Sequence, residues 1–413
     1  MREKEEERNT RYSLDRPAAE PNLWMLDRKI TFLNHGSFGS CPRSVLEFQQ
    51  EIRDRLERRP IQFLLRELEP LLDAARAGLA RFLKADADDL VFVPNATTGV
   101  NTVLRSLQFK RGDELLVTNH EYNASRNALN FVAERAGARV VVARVPFPLQ
   151  SSEQAIESIL REVTPRTRLA LLDHVTSQTA LIFPVERLVQ EFSKCGVETL
   201  IDGAHAPGMV PLNLRKLGAT YYTGNCHKWI CAPKTAGFLY VQRHKQTAIH
   251  PLTISHGANS PRKDRSRFLL EFGWTGTHDP SAYLSVPEAL KYGASLLPDG
   301  WPDIMRRNHA LALAARKIIC DALEIESPCP DGLIGSMASI PLRDAPQKPL
   351  PKSPLFLDRL QDKLLRDHAI EVPIIPWPGH PKRLLRISSQ LYNRLPEYER
   401  LGEALVKLLR RYR

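Results

Sequence analysis

Two short stretches carry residue types that can do chemistry: Ile201-Asp202-Gly203-Ala204-His205 and Asn225-Cys226-His227-Lys228-Trp229. Each closes an apolar run that reads as a buried strand, Val197–Ile201 before the acid and Ala219–Thr223 before the amine. The interval between them has room for one crossover helix, near Leu212–Leu217, and the next strand. An acid and an amine then project from neighbouring strand ends of an open α/β sheet, the place where such sheets bind ligands. A lysine that can form a Schiff base, with a carboxylate that can pair a protonated pyridine nitrogen, is the minimum equipment for pyridoxal phosphate (PLP) chemistry. Lys228 is the expected nucleophile, with Lys234 its nearest rival. A buried amine beside a cationic group loses its proton readily, so it can attack an aldehyde and shuttle protons. Asp202, set in an apolar run, is costly without a cationic partner. The competing reading is a metal site from Asp202, His205 and His227. The D-x-x-H spacing on a loop lacks helical i,i+4 geometry and a clear third carboxylate, so no metal is expected.

These residues need a scaffold, and the chain supplies strand–helix alternation. Asp89–Pro94 is a short apolar strand, Asn95-Ala-Thr-Thr-Gly99 follows it, and a helix is expected over Val100–Leu107. A hydroxyl-rich loop at a helix N-terminus exposes N–H groups and the positive end of the dipole, which suits a phosphate. The plain alternative is an Asn/Thr helix cap. Strands are expected at Glu114–Thr118, Arg139–Val145, Arg168–His174 and Gly237–Val241, with helices at Ser125–Ala136, Glu153–Glu162 and Val185–Lys194 between them. That pattern predicts an α/β fold with a mostly parallel, doubly wound sheet. Upstream, Leu33–Ser40 reads as a turn, and helices are expected after Pro42 (Val45, Phe48, Ile52, Leu56) and from Leu68 to Phe82. Downstream, Tyr283–Ser295 and Pro302–Leu323 read as long helices. Strands near Leu333–Pro341 and Arg383–Ser388 follow, with a proline-rich loop (Pro341–Pro354) and the helix Phe356–His368 between them. A basic helix, Pro396–Arg411, closes the chain.

Taken in order, NATTG (95–99), HEYNA (120–124), DGAH (202–205), HKW (227–229) and GWTGTHDP (273–280) resemble the motifs of class V aminotransferases of PLP fold type I. The opening LNHGSFG (33–39) and the late RIS (386–388) and YN (392–393) are most similar to the isopenicillin N epimerase group of that family. The resemblance covers roughly residues 30–400. It implies PLP as cofactor, attached to Lys228, with Asp202 on the pyridine nitrogen and His205 on the phenolic oxygen. The helix-entry residues Ala96, Thr97 and Thr98 would bind phosphate with Asn225 and His227, though Asn225 departs from the family's usual serine. Tyr122 would stack on the ring, or else be core. Thr277 matches a residue that reaches the phosphate from a second subunit, which implies a homodimer with shared active sites; Thr275 is one slip away. Arg386 matches the arginine that binds the substrate carboxylate, for which a planar guanidinium is suited. Asn34 and His35 would line the substrate side, or form a helix-entry turn only. The expected organisation is a disordered tail over residues 1–20, a large PLP-binding domain over 21–284, whose segment 21–60 contributes to the substrate side, and a smaller C-terminal α+β domain over 285–413.

The resemblance leaves several reactions at Cα of an amino acid. Epimerisation requires a second acid/base, for which His35 and Tyr222 are candidates. Desulfuration requires a mobile cysteine in the loop before Arg386, and Ile375–Pro381 has none. A C–S lyase needs no such cysteine, and transamination stays open. Epimerisation is the preferred expectation, a lyase the next. A degenerate PLP-fold binding protein would be expected to have lost Lys228 or Asp202, and both are present.

Composition is compatible with this. The 413 residues, 43% hydrophobic, can bury a large core. The formal charge of +11 arises from 58 basic and 47 acidic residues spread along the chain. No basic block with interleaved aromatics marks a nucleic-acid surface, so the excess reads as a basic surface or a pocket for anionic substrates. Six cysteines show no CxxC pairing, and Cys226 and Cys231 make a poor zinc site. No stretch approaches the ~18 apolar residues of a membrane span. MREKEEERNTR is a solvated charge run without a signal-type apolar segment. A reducing, cytoplasmic setting is the expectation.

Overall fold

The computed structural model of the chain describes residues 13–346 and 358–410. Its strands, among those residues, are β1 (Thr31–Phe32), β2 (Leu90–Val93), β3 (Glu114–Thr118), β4 (Arg139–Ala143), β5 (Thr167–Asp173), β6 (Glu198–Gly203), β7 (Tyr221–Asn225), β8 (Gly237–Val241), β9 (Met337–Leu342), β10 (Ile370–Glu371), β11 (Ile374–Pro376) and β12 (Arg383–Ser388). Seven form the central sheet in the order β2-β8-β7-β6-β5-β3-β4. All its pairings are parallel except those of β8, which runs antiparallel to β2 and β7. A second, antiparallel sheet has the order β11-β12-β9, and β1 pairs in parallel with β10.

The sheet is buried on both faces, as parallel sheets with helical crossovers must be. One face packs on helices Ala96–Ser106 and Asn123–Ala136, through Val100, Val103, Leu129 and Val132 against Leu115, Val117, Leu171 and Leu200. The other packs on Ser152–Leu160 and Val185–Lys194. The latter helix shows why its sequence folds there. Val185, Leu188, Val189 and Phe192 recur at helical spacing and are buried, while Arg187, Glu191 and Lys194 pair on the outer face. Each such apolar side chain contributes roughly 1.5–3 kcal/mol on burial, the exposed ion pairs far less.

Four expectations change. Leu33–Ser40 contains a helical turn, His35–Phe38, ended by Gly39 at φ 69°. The crossover helix shrinks to Leu214–Leu217, capped by Asn213 and stopped by Gly218 at φ 69°. The expected helix 283–295 is split into Ser281–Leu284 and Val286–Ser295, because Pro287 has no amide to continue the ladder. The described part of the expected tail is docked: Ala18 and Ala19 donate to the Leu391 carbonyl, and Arg307 donates to that of Arg16. Residues 1–12, much of the proline-rich loop and the first residues of the expected helix 356–368 lie outside the described residues. Among the described residues no helix is long and apolar enough to cross a membrane.

Candidate active site

Strands β6 and β7 are parallel neighbours with Asp202 opposite Thr223, so the acid and the lysine loop leave the same edge of the sheet. The chain turns after Asn225 and is held by Cys226 N–H to the Ala236 carbonyl and Ala232 N–H to the Cys226 carbonyl. This fixes Lys228, whose Nζ lies 3.0 Å from His205 Nε2. The indole N–H of Trp229 approaches His205 Nδ1 at 3.5 Å, which leaves Nε2 to carry the ring proton of the neutral imidazole. Burial, and the nearby Arg386 guanidinium, push the Lys228 amine down to about 7; Asp202 and Asp173 act weakly in the other direction. Burial also holds the His205 imidazole well below its ordinary range. With its pKa at about 7 the amine is in part unprotonated near neutral pH, the form that attacks an aldehyde. Asp202 is buried, accepting from the Ser125 hydroxyl at 2.9 Å and the Ala204 amide at 3.0 Å. Burial raises its carboxyl nonetheless.

Helix Ala96–Ser106 begins four residues earlier than expected, so Ala96, Thr97 and Thr98 form its first turn. Asn95 caps it, accepting from the Thr98 amide at 2.9 Å, and Asn225 Oδ1 accepts from the Ala96 amide at 2.9 Å. The cap is thus present, and the Thr97 amide and hydroxyl have no partner among the described residues. Gly99 admits the helix close to β7, where a Cβ would overlap the Thr223 side chain. His227 donates from Nδ1 to the Ala236 carbonyl at 3.0 Å, which frees Nε2.

Arg386 lies on β12 and is buried. Its Nη1 donates to the Ser177 carbonyl at 2.7 Å and hydroxyl at 3.2 Å, and its Nη2 to the Ser37 hydroxyl at 2.8 Å, with Asn34 Oδ1 at 3.5 Å. Nε is buried without a partner, and no carboxylate is among its contacts. A buried cation cradled by neutral oxygens, with one donor to spare, suits a ligand carboxylate.

His35 is fully buried. Its Nδ1 lies 2.8 Å from the Tyr392 hydroxyl and its Nε2 3.0 Å from the Lys228 carbonyl, so the ring braces the lysine's backbone. Gly39 enables this packing, since a Cβ there would overlap the His227 carbonyl oxygen. Tyr222 is hydrogen-bonded to His174 Nδ1 at 2.9 Å and stacked on Phe238. The two residues expected to offer a second acid/base are thus committed elsewhere. Tyr122 is 39% exposed, so it is not core, and its phenol faces the Arg386 guanidinium electrostatically. Thr277 is exposed and does not reach Lys228 within this chain; it lines a cleft of about 860 Å3 with Thr98 and Pro94.

Ser37, Ser125 and Ser177 were not singled out by sequence reading. Ser37 and Ser125 lie in or beside the LNHGSFG and HEYNA motifs, and that adjacency was the available signal. Ser177 gave none, because its role depends on the fold bringing its loop to β12.

The residues present fit PLP: a buried lysine whose amine is lowered to about 7, a buried carboxylate beside it, a helix N-terminus, and a buried arginine with a partnerless Nε. Comparisons agree. The aminotransferase class-V family model matches residues 54–327. Isopenicillin N epimerase of Amycolatopsis lactamdurans is 36% identical, over 93% of this chain and 96% of that protein. A probable chloroplastic L-cysteine desulfhydrase of Arabidopsis thaliana is 30% identical, over 93% and 84%. In fold, the cystine C-S lyase C-DES in complex with cysteine persulfide superposes with a TM-score of 0.73 at 20% identity, covering 92% of this chain and 98% of that one. The cysteine desulfurase CsdA of Escherichia coli gives 0.73 at 19%, covering 95% and 97%. With the lysine, the acid and their supporting strands where such a cofactor needs them, and with this extent of similarity, the chain belongs to the class-V aminotransferase family of PLP-dependent enzymes.

Proposed function

We propose that this protein acts at Cα of an α-amino-acid-like substrate, and that its reaction is epimerisation. The observation that carries the first part is Arg386, a buried guanidinium with an unpartnered Nε that electrostatically faces Lys228. PLP, when bound, supplies an electron sink that acidifies the Cα–H of an attached amino acid. The protein's residues do the rest. Arg386 holds the α-carboxylate, and the Ser177, Ser37 and Asn34 oxygens fix its orientation. Asp202, itself oriented by Ser125 and the Ala204 amide, holds a proton on the pyridine nitrogen. Lys228 Nζ takes the Cα proton, and His205 beside it positions the amine.

Epimerisation needs a second acid/base to return a proton from the opposite side. With His35 and Tyr222 committed elsewhere, the reading falls to Tyr122, expected over the ring and electrostatically close to Arg386. The relatives named isopenicillin N epimerase, at 36% and 32% identity, support it. The second reading, elimination of sulfur from a cysteine derivative, is favoured by relatives named L-cysteine desulfhydrase and hercynylcysteine sulfoxide lyase. It requires Lys228 but no opposing base. Amino acids incubated with the PLP-loaded protein in deuterium oxide separate the two. Epimerisation gives Cα-deuterium with inversion, and Tyr122→Phe keeps exchange but loses inversion; release of sulfide and a keto acid from cysteine without inversion selects the lyase.

The same reading includes a homodimer in which Thr277 of one subunit serves the phosphate of the other. Its supports are the exposure of Thr277 and the exposed Leu65 and Leu252 lining the same cleft. It also divides the chain into a large domain over 21–284 and a small one over 285–413, with β1 of the first pairing β10 of the second.

A further inference from the structure

Glu121, Asp173 and Asp202 each bring a carboxylate oxygen within 4.8 Å of the others, and all three are buried. They stand at one edge of the sheet: Asp173 and Asp202 are register partners on β5 and β6, and Glu121 follows β3. Their hydrogen bonding differs. Asp202 accepts from a hydroxyl and an amide, as an ionised carboxylate does. Neither oxygen of Glu121 has a donor, and Asp173 Oδ2 has none. Two neighbouring buried carboxyls, three of whose oxygens find no donor, are stable only if a proton stays on them, since a protonated carboxyl can donate to its neighbour's oxygen.

The charged groups around the pair do not replace that proton. Glu121 faces Asp202, Asp173 and Arg126, and Arg126 directs its Nε to Asn130 Oδ1. Asp173 faces Glu121, Asp202 and Lys228, and Lys228 lies against His205. Burial first, then the Asp202 charge on Glu121 and the Glu121 and Asp202 charges on Asp173, push both carboxyls well above the usual carboxylate range. Asp202 additionally faces Tyr222 and Lys228.

We propose that Glu121 and Asp173 remain protonated at neutral pH, leaving Asp202 as the one anion presented to the cofactor's pyridine nitrogen. The second half rests on the reading of Asp202 as that nitrogen's partner. Both isosteric neutral variants, Glu121→Gln and Asp173→Asn, then mimic the native charge state and should be nearly silent, whereas removing the Asp202 charge should not.

The test uses the full chain in two measurements. Infrared spectra of the apoprotein at neutral pH should show the carbonyl band of buried protonated carboxyl groups, reduced in Glu121→Gln and in Asp173→Asn and intact in Asp202→Asn. Fluorescence titration with PLP should give dissociation constants for the first two variants within about threefold of wild type, and a loss of about tenfold or more for Asp202→Asn, the equivalent of one pKa unit. Circular dichroism establishes that each variant is folded; should one glutamine or asparagine variant fail to fold, the other carries the test. Absence of the acid band, or a tenfold loss of PLP affinity in either isostere, overturns the proposal. If Asp202→Asn binds PLP as tightly as wild type, the Asp202 reading fails by itself, and the second half of the proposal falls with it even where the infrared band is present.

Discussion

Lys228 differs from a surface lysine in one measurable respect: burial brings its amine down to about 7. A free lysine titrates near ~10.4, so between these two pH values the unfolded chain binds more protons than the folded one. The contribution of this site to stability therefore rises with pH across that window, and the amine's reactivity is already complete near its lower end. The expected outcome is that the rate of PLP capture by the apoprotein rises from about pH 6 to 8 and then levels; a rate that climbs on to ~10, as for an ordinary lysine, would contradict the burial argument. Arg386→Lys provides a second check. A lysine cannot reproduce the fork held by Ser177 and Ser37, so the variant should raise KM for an amino-acid substrate by roughly tenfold or more, with a smaller change in kcat. At this scale the sequence was legible where a residue sits in a local pattern, as with Asp202, Lys228 and the cap Asn95. It was illegible where function depends on what the fold brings from far away. Tyr222 and His35 read as candidate acids until their partners, His174 and the Lys228 carbonyl, came from other elements. The carboxyl of Asp173 is unremarkable in sequence, because only strand register places it beside Asp202, and that of Glu121, although within HEYNA, reaches the pair only through the loop after β3.

The elements positioning the site are short and tightly constrained, and the LNHGSFG turn shows it best. Gly39 combines a positive φ with close approach to the His227 carbonyl. In Gly39→Ala the positive φ with an extended ψ alone costs roughly 1–3 kcal/mol. The displaced turn should also loosen the His35 brace, so weaker PLP retention should accompany a lower melting temperature. Val185–Lys194 provides the contrast of an element that supports the sheet without touching the site. Phe192→Ala should cost about 3–5 kcal/mol in urea unfolding while leaving PLP affinity in the surviving folded protein near wild type. Helix periodicity and strand runs were readable because one buried face dominates each. The two-residue strands β1 and β10 were not, as their pairing is long-range and their sequences too short for a pattern. The break before Pro287 was missed by giving periodicity precedence over the missing amide.

For the whole molecule, the order of strands and helices sufficed to infer a doubly wound sheet. Strand order and the antiparallel β8 required the structure, because connections of similar length lead to either neighbour. The resemblance in motifs implies what no single chain displays, a second subunit contributing Thr277. If subunits share sites, sedimentation should give about twice the 46.8 kDa of the chain. Mixing the inactive Lys228→Ala with a Thr277→Ala variant should then restore one native site per hybrid dimer, detectable as recovered activity. A monomer, or mixtures no more active than their parts, would count against sharing. The central claim, that Lys228 anchors PLP, is tested most directly by adding PLP to the purified protein, reducing with borohydride, and mapping the modified peptide by mass spectrometry, wild type beside Lys228→Ala. The account predicts a visible absorption band before reduction and a phosphopyridoxyl group on Lys228 after it, both absent from the variant. A colourless wild-type protein, or a label on Lys234 or another lysine, would contradict it.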